Sequence, residues 1–160
     1  MNRTRFISPT KGPLDLDQIF ADIVSHVETQ PQNDHKIIVG TDSQNTRGEC
    51  DFVTAIIIHR VGKGARYYYR KIHQKHVTSL KQRIFYEASL SLETAGRLAG
   101  MLAKNGHSDL NVEIHLDVGE EGQTKELIRE IVGMVIGSGF NAKIKPDSYG
   151  ASKVADKHTK

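Results

Sequence analysis

The first periodic pattern of apolar residues along the chain is typical of an amphipathic helix. It spans about residues 13–30 and is interrupted at Pro31. Asp15 precedes the apolar stripe and Gln18 follows three residues later, a spacing typical of a capping box at a helix N-terminus. We therefore predict that the first element of the fold is a helix that begins near Asp15 and ends before Pro31.

Three strand-like runs follow, over residues 36–43, 51–60 and 66–76. The second run, "DFVTAIIIHR", is apolar at both odd and even positions, which is typical of a strand covered on both faces. The connectors, at residues 45–48 and 61–64, are short and contain glycine. We predict two hairpins and an antiparallel meander, with the second run as a central strand.

The second half of the chain alternates between helical and strand patterns. We predict a long helix at about 79–104, a strand at 109–117, a helix at 124–136, a strand near 140–145 and a short helix from about 150. This alternation favours parallel strands joined by crossovers. The predicted fold is α/β, with a mixed five-stranded sheet in the order β-β-β-α-β-α-β-α and an extra N-terminal helix.

The chain of 160 residues is predicted to form a single domain, with a helical extension at about 13–30 and a core at about 36–160. Its net charge of +3 is a mild basic bias that is compatible with an anionic partner. One cysteine rules out an internal disulfide and favours a reducing compartment. We expect neither a signal peptide nor a membrane span, and therefore a cytoplasmic protein.

Acidic residues fall at the ends of two predicted strands. Asp42 closes the first strand-like run and Asp117 closes the fourth. If these strands are parallel neighbours, the two carboxylates lie side by side at one end of the sheet, where α/β folds bind ligands. On the long helix, Glu87 falls at the shoulder of the apolar face, whereas Glu93 falls opposite it, so we prefer Glu87 as a third member. Asp156 would join them if the last helix packs back.

Four gathered carboxylates need a positive counter-charge, because mutual repulsion would raise their pKa values or unfold the site. Mg²⁺ and Mn²⁺ favour oxygen ligands, and two such ions about 3.5–4 Å apart can hold both reacting oxygens of a phosphodiester. Each acid also has an ordinary interpretation. Asp42 and Asp117 could cap turns, Glu87 could be a helix-surface acid, and Asp156 lies near a terminus where helices fray.

The run "ARYYYRKIHQKH" interleaves aromatic and basic residues, as single-strand nucleic-acid binders do. The equally weighted alternative is an edge strand protected from aggregation by its charges. Nearer the C-terminus, lysines either approach a phosphate backbone or offset the acids. The candidate nucleic-acid contacts are Tyr67, Tyr69, Lys71, Lys75, Lys145, Lys153 and Lys157, and His115 and His158 are possible accessory groups for which ordinary structural roles are the simpler account.

The segments "GTDSQ", "LDVGEEGQTKELI", "IKPDSYGAS" and "VADKHTK" resemble the ribonuclease H-like superfamily and, within it, the bacterial YkuK-type family of predicted nucleases. The resemblance covers about residue 36 to the C-terminus. It implies that Asp42, Glu87 and Asp117 are the core metal ligands and that Asp156 is a fourth, more variable one. The chain lacks the glycine-rich first hairpin and the basic protrusion of authentic RNases H, which argues against hybrid-specific cleavage.

These observations lead to the hypothesis of a nuclease that uses Mg²⁺ or Mn²⁺ to hydrolyse phosphodiester bonds of RNA, DNA or a hybrid. One alternative is a non-catalytic nucleic-acid-binding module with the same fold. Another is a metal-dependent enzyme that acts on a different phosphate ester. Metal binding and turnover on small phosphodiesters would separate the three.

Overall fold

The computed structural model describes residues 5–32, 34–60, 64–118, 125–145 and 147–148. Helices and strands alternate along this part of the chain in an α/β arrangement. The elements are β1 (Phe6–Ser8), β2 (Gly12–Leu14), α1 (Leu16–Thr29), β3 (His35–Thr46), β4 (Glu49–Arg60), β5 (Ala65–Lys75), α2 (Leu80–Lys104), β6 (Asn111–His115), α3 (Lys125–Gly137) and β7 (Asn141–Lys143).

The strands form one mixed sheet in the order β2-β1-β5-β4-β3-β6-β7. The β3–β4 and β4–β5 pairs are antiparallel, whereas β3–β6 and β6–β7 are parallel. The mixed sheet and the central position of β4 are confirmed. The prediction of five strands is wrong, because the sheet has seven. The additional two are β1 and β2, which join at the β5 side through Ile7 opposite Tyr69.

The N-terminal hairpin corrects the prediction that a helix is the first element. Its strands have three residues each and the second contains Pro13, so they are too short to display a period-two pattern. The helix that follows begins as predicted. The Gln18 backbone N–H donates to Asp15 Oδ1 at 2.8 Å, and the Asp15 N–H donates to Gln18 Oε1 at 2.9 Å, which is the reciprocal capping box.

The β3–β4 hairpin is longer than the sequence pattern indicates. Pairing continues to Thr46 opposite Glu49, and the connection is a two-residue turn at Arg47 and Gly48, whose φ angles are 54° and 79°. Positive φ at both positions matches the twist of a tight hairpin. Asp42 therefore lies inside β3 and not at its end, which corrects the prediction. Asn45 and Thr46, which the sequence pattern assigned to the connector at residues 45–48, continue the strand and are exposed near the hairpin tip.

All three helices cover the same face of the sheet. Alternate residues of β3, β4 and β6 join apolar residues of α1, α2 and α3 in one buried cluster, which includes Ile37, Val39, Ile56, Ile58, Val112, Ile114, Ile19, Ile23, Ala95, Leu98, Ile131 and Val135. Residues of the opposite alternation form a small separate cluster of Ile38 and Ile57 with Tyr67 against it. The helix predicted from about residue 150 lies outside the described residues. Among the described helices, none has the length and apolarity to cross a bilayer.

Candidate active site

The register of the sheet brings Asp42 and Asp117 to neighbouring positions. Strands β3 and β6 pair in parallel from Lys36 opposite Asn111 to Gly40 opposite His115. Asp42 and Asp117 each lie two residues beyond that last pair. The predicted parallel neighbourhood of the two strands is therefore present, and the chain carries both carboxylates to the same end of the sheet.

Glu87 reaches this end of the sheet from helix α2. Its side chain is buried, with 8% of the residue exposed, whereas Glu93 is exposed. The Ser43 hydroxyl, next to Asp42 in β3, donates a short hydrogen bond to Glu87 Oε2. The helical phase that placed Glu87 toward the sheet and Glu93 toward solvent agrees with this arrangement. Glu87 is therefore anchored to the strand that carries Asp42.

Burial and negative charge both act on Glu87. Burial is the main cause that raises the pKa of Glu87 to about 8, and the charges of Asp42 and Asp117 raise it further, whereas the Ser43 hydrogen bond and the charge of Arg83 lower it. Both aspartates thus add negative charge to the surroundings of Glu87. A buried carboxyl under these conditions is a group that a cation would stabilise in its ionised form.

Protein groups contact each of the three carboxyls. The Ser43 backbone N–H donates to Asp42 Oδ1 at 2.8 Å, while its hydroxyl contacts Glu87. Lys145 Nζ lies 3.0 Å from Asp117 Oδ1 in a partly exposed ion pair. Lys145 was a candidate phosphate contact, and the ion pair corresponds to the alternative in which it offsets an acid. Ser43 and Lys145 are thus direct partners of the candidate ligands.

The fit of these residues to a divalent ion is partial. The donor set is right, because carboxylate oxygens are the ligands that Mg²⁺ and Mn²⁺ favour. The described part of the chain, however, contains no group of three or more histidine, cysteine, aspartate or glutamate side chains arranged to hold an ion. Asp156, the predicted fourth ligand, lies outside the described residues, as do His158, Lys153 and Lys157.

The aromatic and basic residues of β5 occupy the same face of the sheet as Asp42. Asp42 is opposite Val53 of β4, and Val53 is opposite Lys71 of β5, so the three residues form one row across the sheet. Tyr67 and Tyr69 lie further along the same alternation, with ring centroids 6.4 Å apart, and Lys75 lies on the other side of Lys71. Strand β5 has β4 on one side and β1 on the other. The alternative prediction, that this run is an edge strand protected by its charges, is therefore wrong.

His115 is held in a buried polar cluster. It is 1% exposed, and its Nε2 lies 3.1 Å from Glu113 Oε1, while the other carboxylate oxygen of Glu113 lies 3.3 Å from Lys36 Nζ. The hydrogen bond to Glu113 explains how the polar ring of His115 can be fully buried in the strand. Its position two residues before Asp117 leaves an accessory role as a prediction.

Two residues of the neighbourhood could not be found from sequence. Ser43 follows Asp42 in a dipeptide that is typical of turns, and no sequence pattern distinguishes Arg83 from the other basic residues. The hydrogen bond of Ser43 depends on the rotation of α2 over β3, and the influence of Arg83 on Glu87 depends on the same packing. The "DS" dipeptide in "GTDSQ" is the one sequence signal that could have pointed to Ser43.

The comparison with protein families agrees with this fold. The family model described as "Ribonuclease H-like" matches residues 18–160, which is most of the chain. The chain therefore belongs to the ribonuclease H-like family.

Within that family the chain is of the YkuK type. It is 34% identical, over 97% of its own length and 96% of the relative's, to "Uncharacterized protein YkuK" of Bacillus subtilis (strain 168). No solved structure matches the chain. The family suggests a function related to nucleic acid or its cleavage. The name of the relative states no activity.

Proposed function

We propose that the protein is a metal-dependent nuclease that hydrolyses phosphodiester bonds of nucleic acid. What supports the proposal is that Asp42 and Asp117 follow adjacent parallel strands to one end of the sheet, where Glu87 of α2 is hydrogen-bonded to Ser43, in a ribonuclease H-like chain. Asp156 is proposed as a fourth ligand from outside the described residues. Catalysis by bound ions requires no protein nucleophile.

In this proposal the carboxylates would hold one or two Mg²⁺ or Mn²⁺ ions. Such ions supply charge neutralisation at phosphate and a more acidic water. The Ser43 hydroxyl fixes the orientation of the Glu87 carboxylate, and its backbone N–H does the same for Asp42. Lys145, which is paired with Asp117, would be available to a phosphate oxygen if an ion took its place at that carboxylate. His115 and His158 are kept as accessory groups.

The β5 surface would bind the substrate strand. Tyr67 and Tyr69 present aromatic rings on the alternation that carries Asp42, and base stacking on such rings is tolerant of sequence. Lys71, Lys75 and Lys145, with Lys153 and Lys157 from outside the described residues, would contact phosphates. The row from Asp42 to Lys71 aligns this surface with the proposed scissile position.

The test combines metal binding with cleavage. Mn²⁺ at about 100 times its dissociation constant should add about 2.7 kcal/mol to the free energy of unfolding of the wild type. Asp42→Asn, Glu87→Gln and Asp117→Asn should each remove most of that stabilisation and the Mn²⁺-dependent cleavage of single strands, duplexes, hybrids or branched junctions. Glu93→Gln is the matched control, since it changes an exposed glutamate of the same helix. Equal loss in Glu93→Gln and Glu87→Gln would contradict the proposed site.

A non-catalytic nucleic-acid-binding module is the second candidate. The ion pair between Lys145 and Asp117 favours it, because a carboxylate neutralised by lysine has less need of a metal. Binding of nucleic acid without Mn²⁺ stabilisation and without cleavage would establish this function. Turnover of a small phosphodiester, with no cleavage of RNA or DNA, would instead indicate a metal-dependent enzyme on another phosphate ester.

A further inference from the structure

The side chain of Arg83 has a buried donor without an acceptor. Arg83 lies in the first turns of α2, and its Nε is buried and has no hydrogen-bond partner among the described residues. A guanidinium stays charged at all relevant pH values. A buried charged donor left unpaired is costly, so this position calls for an acceptor that the described residues do not supply.

The position of Arg83 relates it directly to the candidate active site. It precedes Glu87 by four residues, so the two side chains lie on the same side of α2, about 6 Å apart along the helix axis. Its positive charge lowers the pKa of Glu87 and also that of Cys50, against the burial that raises both. The four-residue offset on α2 therefore places the Arg83 guanidinium next to Glu87, yet the two side chains form no ion pair in the described structure.

Two other cations near this end of the sheet already lie beside acids. Lys145 is paired with Asp117 at 3.0 Å, and Lys71 lies 3.8 Å from Asp51. The first turn of α2 contains no acidic residue that could compete for Arg83. A planar guanidinium fork matches the oxygens of a phosphate better than any other side chain does. The acceptor that suits this donor is an anionic oxygen brought from outside the chain.

We infer that Arg83 binds a phosphate of the nucleic-acid strand, one position along from the phosphate held at the carboxylates. The inference rests on the proposed function for the identity of the substrate. Because Arg83 is offset from Glu87 by one helical turn, it contacts a neighbouring phosphate and fixes the register of the strand. In steady-state cleavage, Arg83→Gln should therefore raise KM by a larger factor than it lowers kcat, since binding to a non-reacting phosphate is similar in ground and transition states.

The deciding experiment measures binding without cleavage. A fluorescent single-stranded oligonucleotide is titrated in EDTA at several salt concentrations against wild type, Arg83→Gln, Arg83→Lys and Arg97→Gln. Arg97 is an exposed arginine of the same helix, about 21 Å further along its axis. Loss of one phosphate contact should reduce the slope of log K against log salt by about 0.7 and weaken binding roughly ten-fold at low salt. Arg83→Lys should keep the slope and lose part of the affinity, and Arg97→Gln should match wild type.

Each outcome decides between the inference and the proposed function. An unchanged slope and affinity in Arg83→Gln would overturn the inference and leave the nuclease proposal standing. A reduced slope, with no cleavage by wild type in Mn²⁺, would support the phosphate contact and overturn the nuclease. Failure of wild type to bind the oligonucleotide would overturn both. If Arg83→Gln does not fold, Arg83→Lys carries the test, and an affinity equal to wild type would contradict the need for a guanidinium fork.

Discussion

Two carboxyl groups in this protein are equally buried and yet experience opposite environments. Asp22 of α1 is 7% exposed and Glu87 of α2 is 8% exposed. The pKa of Asp22 is lowered from its ordinary value, whereas that of Glu87 is raised to about 8. Burial raises the pKa of both carboxyls, and the groups that surround them differ in charge.

Asp22 is surrounded by donors. Burial alone would raise its pKa, but Lys11, Tyr68 and Arg66 together outweigh that effect. Lys11 Nζ lies 2.5 Å from Asp22 Oδ1, Arg66 Nη1 lies 3.2 Å from both carboxylate oxygens, and the Tyr68 hydroxyl donates a short hydrogen bond. These contacts join α1 to β5 and to the turn that follows β1. Asp22 is thus a structural carboxylate whose charge the fold fully compensates.

Glu87 has one direct donor, the Ser43 hydroxyl, and two negative neighbours. The protein therefore builds a complete set of partners for one buried acid and leaves the other incomplete. Acids whose pKa values are strongly shifted and whose charge is not compensated are concentrated at functional sites, where a ligand supplies the compensating charge. The comparison teaches that burial of an acid does not indicate function, whereas burial combined with uncompensated charge does.

The largest expected effect concerns the pH dependence of stability. Because the folded pKa of Glu87 lies near 8 and its ordinary value is 4.5, its stabilising contribution is complete below pH 4.5 and is lost as pH rises toward 8. Without metal, wild-type stability should fall relative to Glu87→Gln by about 1.4 kcal/mol per pH unit across this window, a total of several kcal/mol. Urea denaturation at intervals of pH measures the difference, with Glu93→Gln as the control. If the free energies of unfolding of wild type and Glu87→Gln change in parallel with pH, the pKa of Glu87 is not raised and the contrast with Asp22 disappears.

The next effect concerns Asp22. Asp22→Asn should reduce the free energy of unfolding by about 2–3 kcal/mol, less than for a fully buried pair because Lys11 and Arg66 are partly exposed. The sign of its pH dependence is opposite to that of Glu87. The contribution of Asp22 is present above its ordinary pKa of 3.8 and is lost as pH falls through the lower folded value. Asp17→Asn, an exposed change on the same helix, should cost little. A loss no larger than that of Asp17→Asn would show that Asp22 is not a structural carboxylate.

The smallest effect concerns Lys145. Its side chain is 58% exposed, so Lys145→Gln should change the free energy of unfolding by less than about 1 kcal/mol. The same substitution removes the cation that competes for Asp117, so half-saturation with Mn²⁺ should occur at a lower concentration than in wild type. Calorimetric titration measures this shift, and Lys143→Gln is the control for a loss of charge nearby. A large loss of stability with unchanged Mn²⁺ binding would assign Lys145 a structural role like that of Lys11.

The elements with long periodic patterns were predictable from sequence. The capping box of α1, the central position of β4 and the phase of α2 all follow from spacing within the element itself. Such local patterns survive folding because each element buries the face that its own sequence defines. The presence of the acids at one end of the sheet followed from these elements and from the parallel pairing of β3 with β6.

What could not be predicted depends on contacts between distant residues. Strands β1 and β2 are too short for a pattern, and their place in the sheet depends on Tyr69, far along the chain. The compensation of Asp22 by Arg66 and Tyr68 spans more than forty residues of sequence. The extent of β3 beyond Asp42 is set by the tight turn at Arg47 and Gly48, because the polar residues before it give no apolar signal. These features depend on tertiary geometry, which a single sequence leaves open.

The register of β3 has a consequence for the kinetics of folding. Its antiparallel partner β4 follows after a two-residue turn, whereas its parallel partner β6 begins opposite Lys36 only at Asn111, across three intervening elements. Closing the hairpin costs little chain entropy and closing the parallel pair costs more, so we expect the β3–β4–β5 meander to form first. Asp42 would then be in place before Asp117 arrives, and repulsion between the acids would enter after the rate-limiting step. A cation that bridges them would consequently slow unfolding and leave the folding rate almost unchanged.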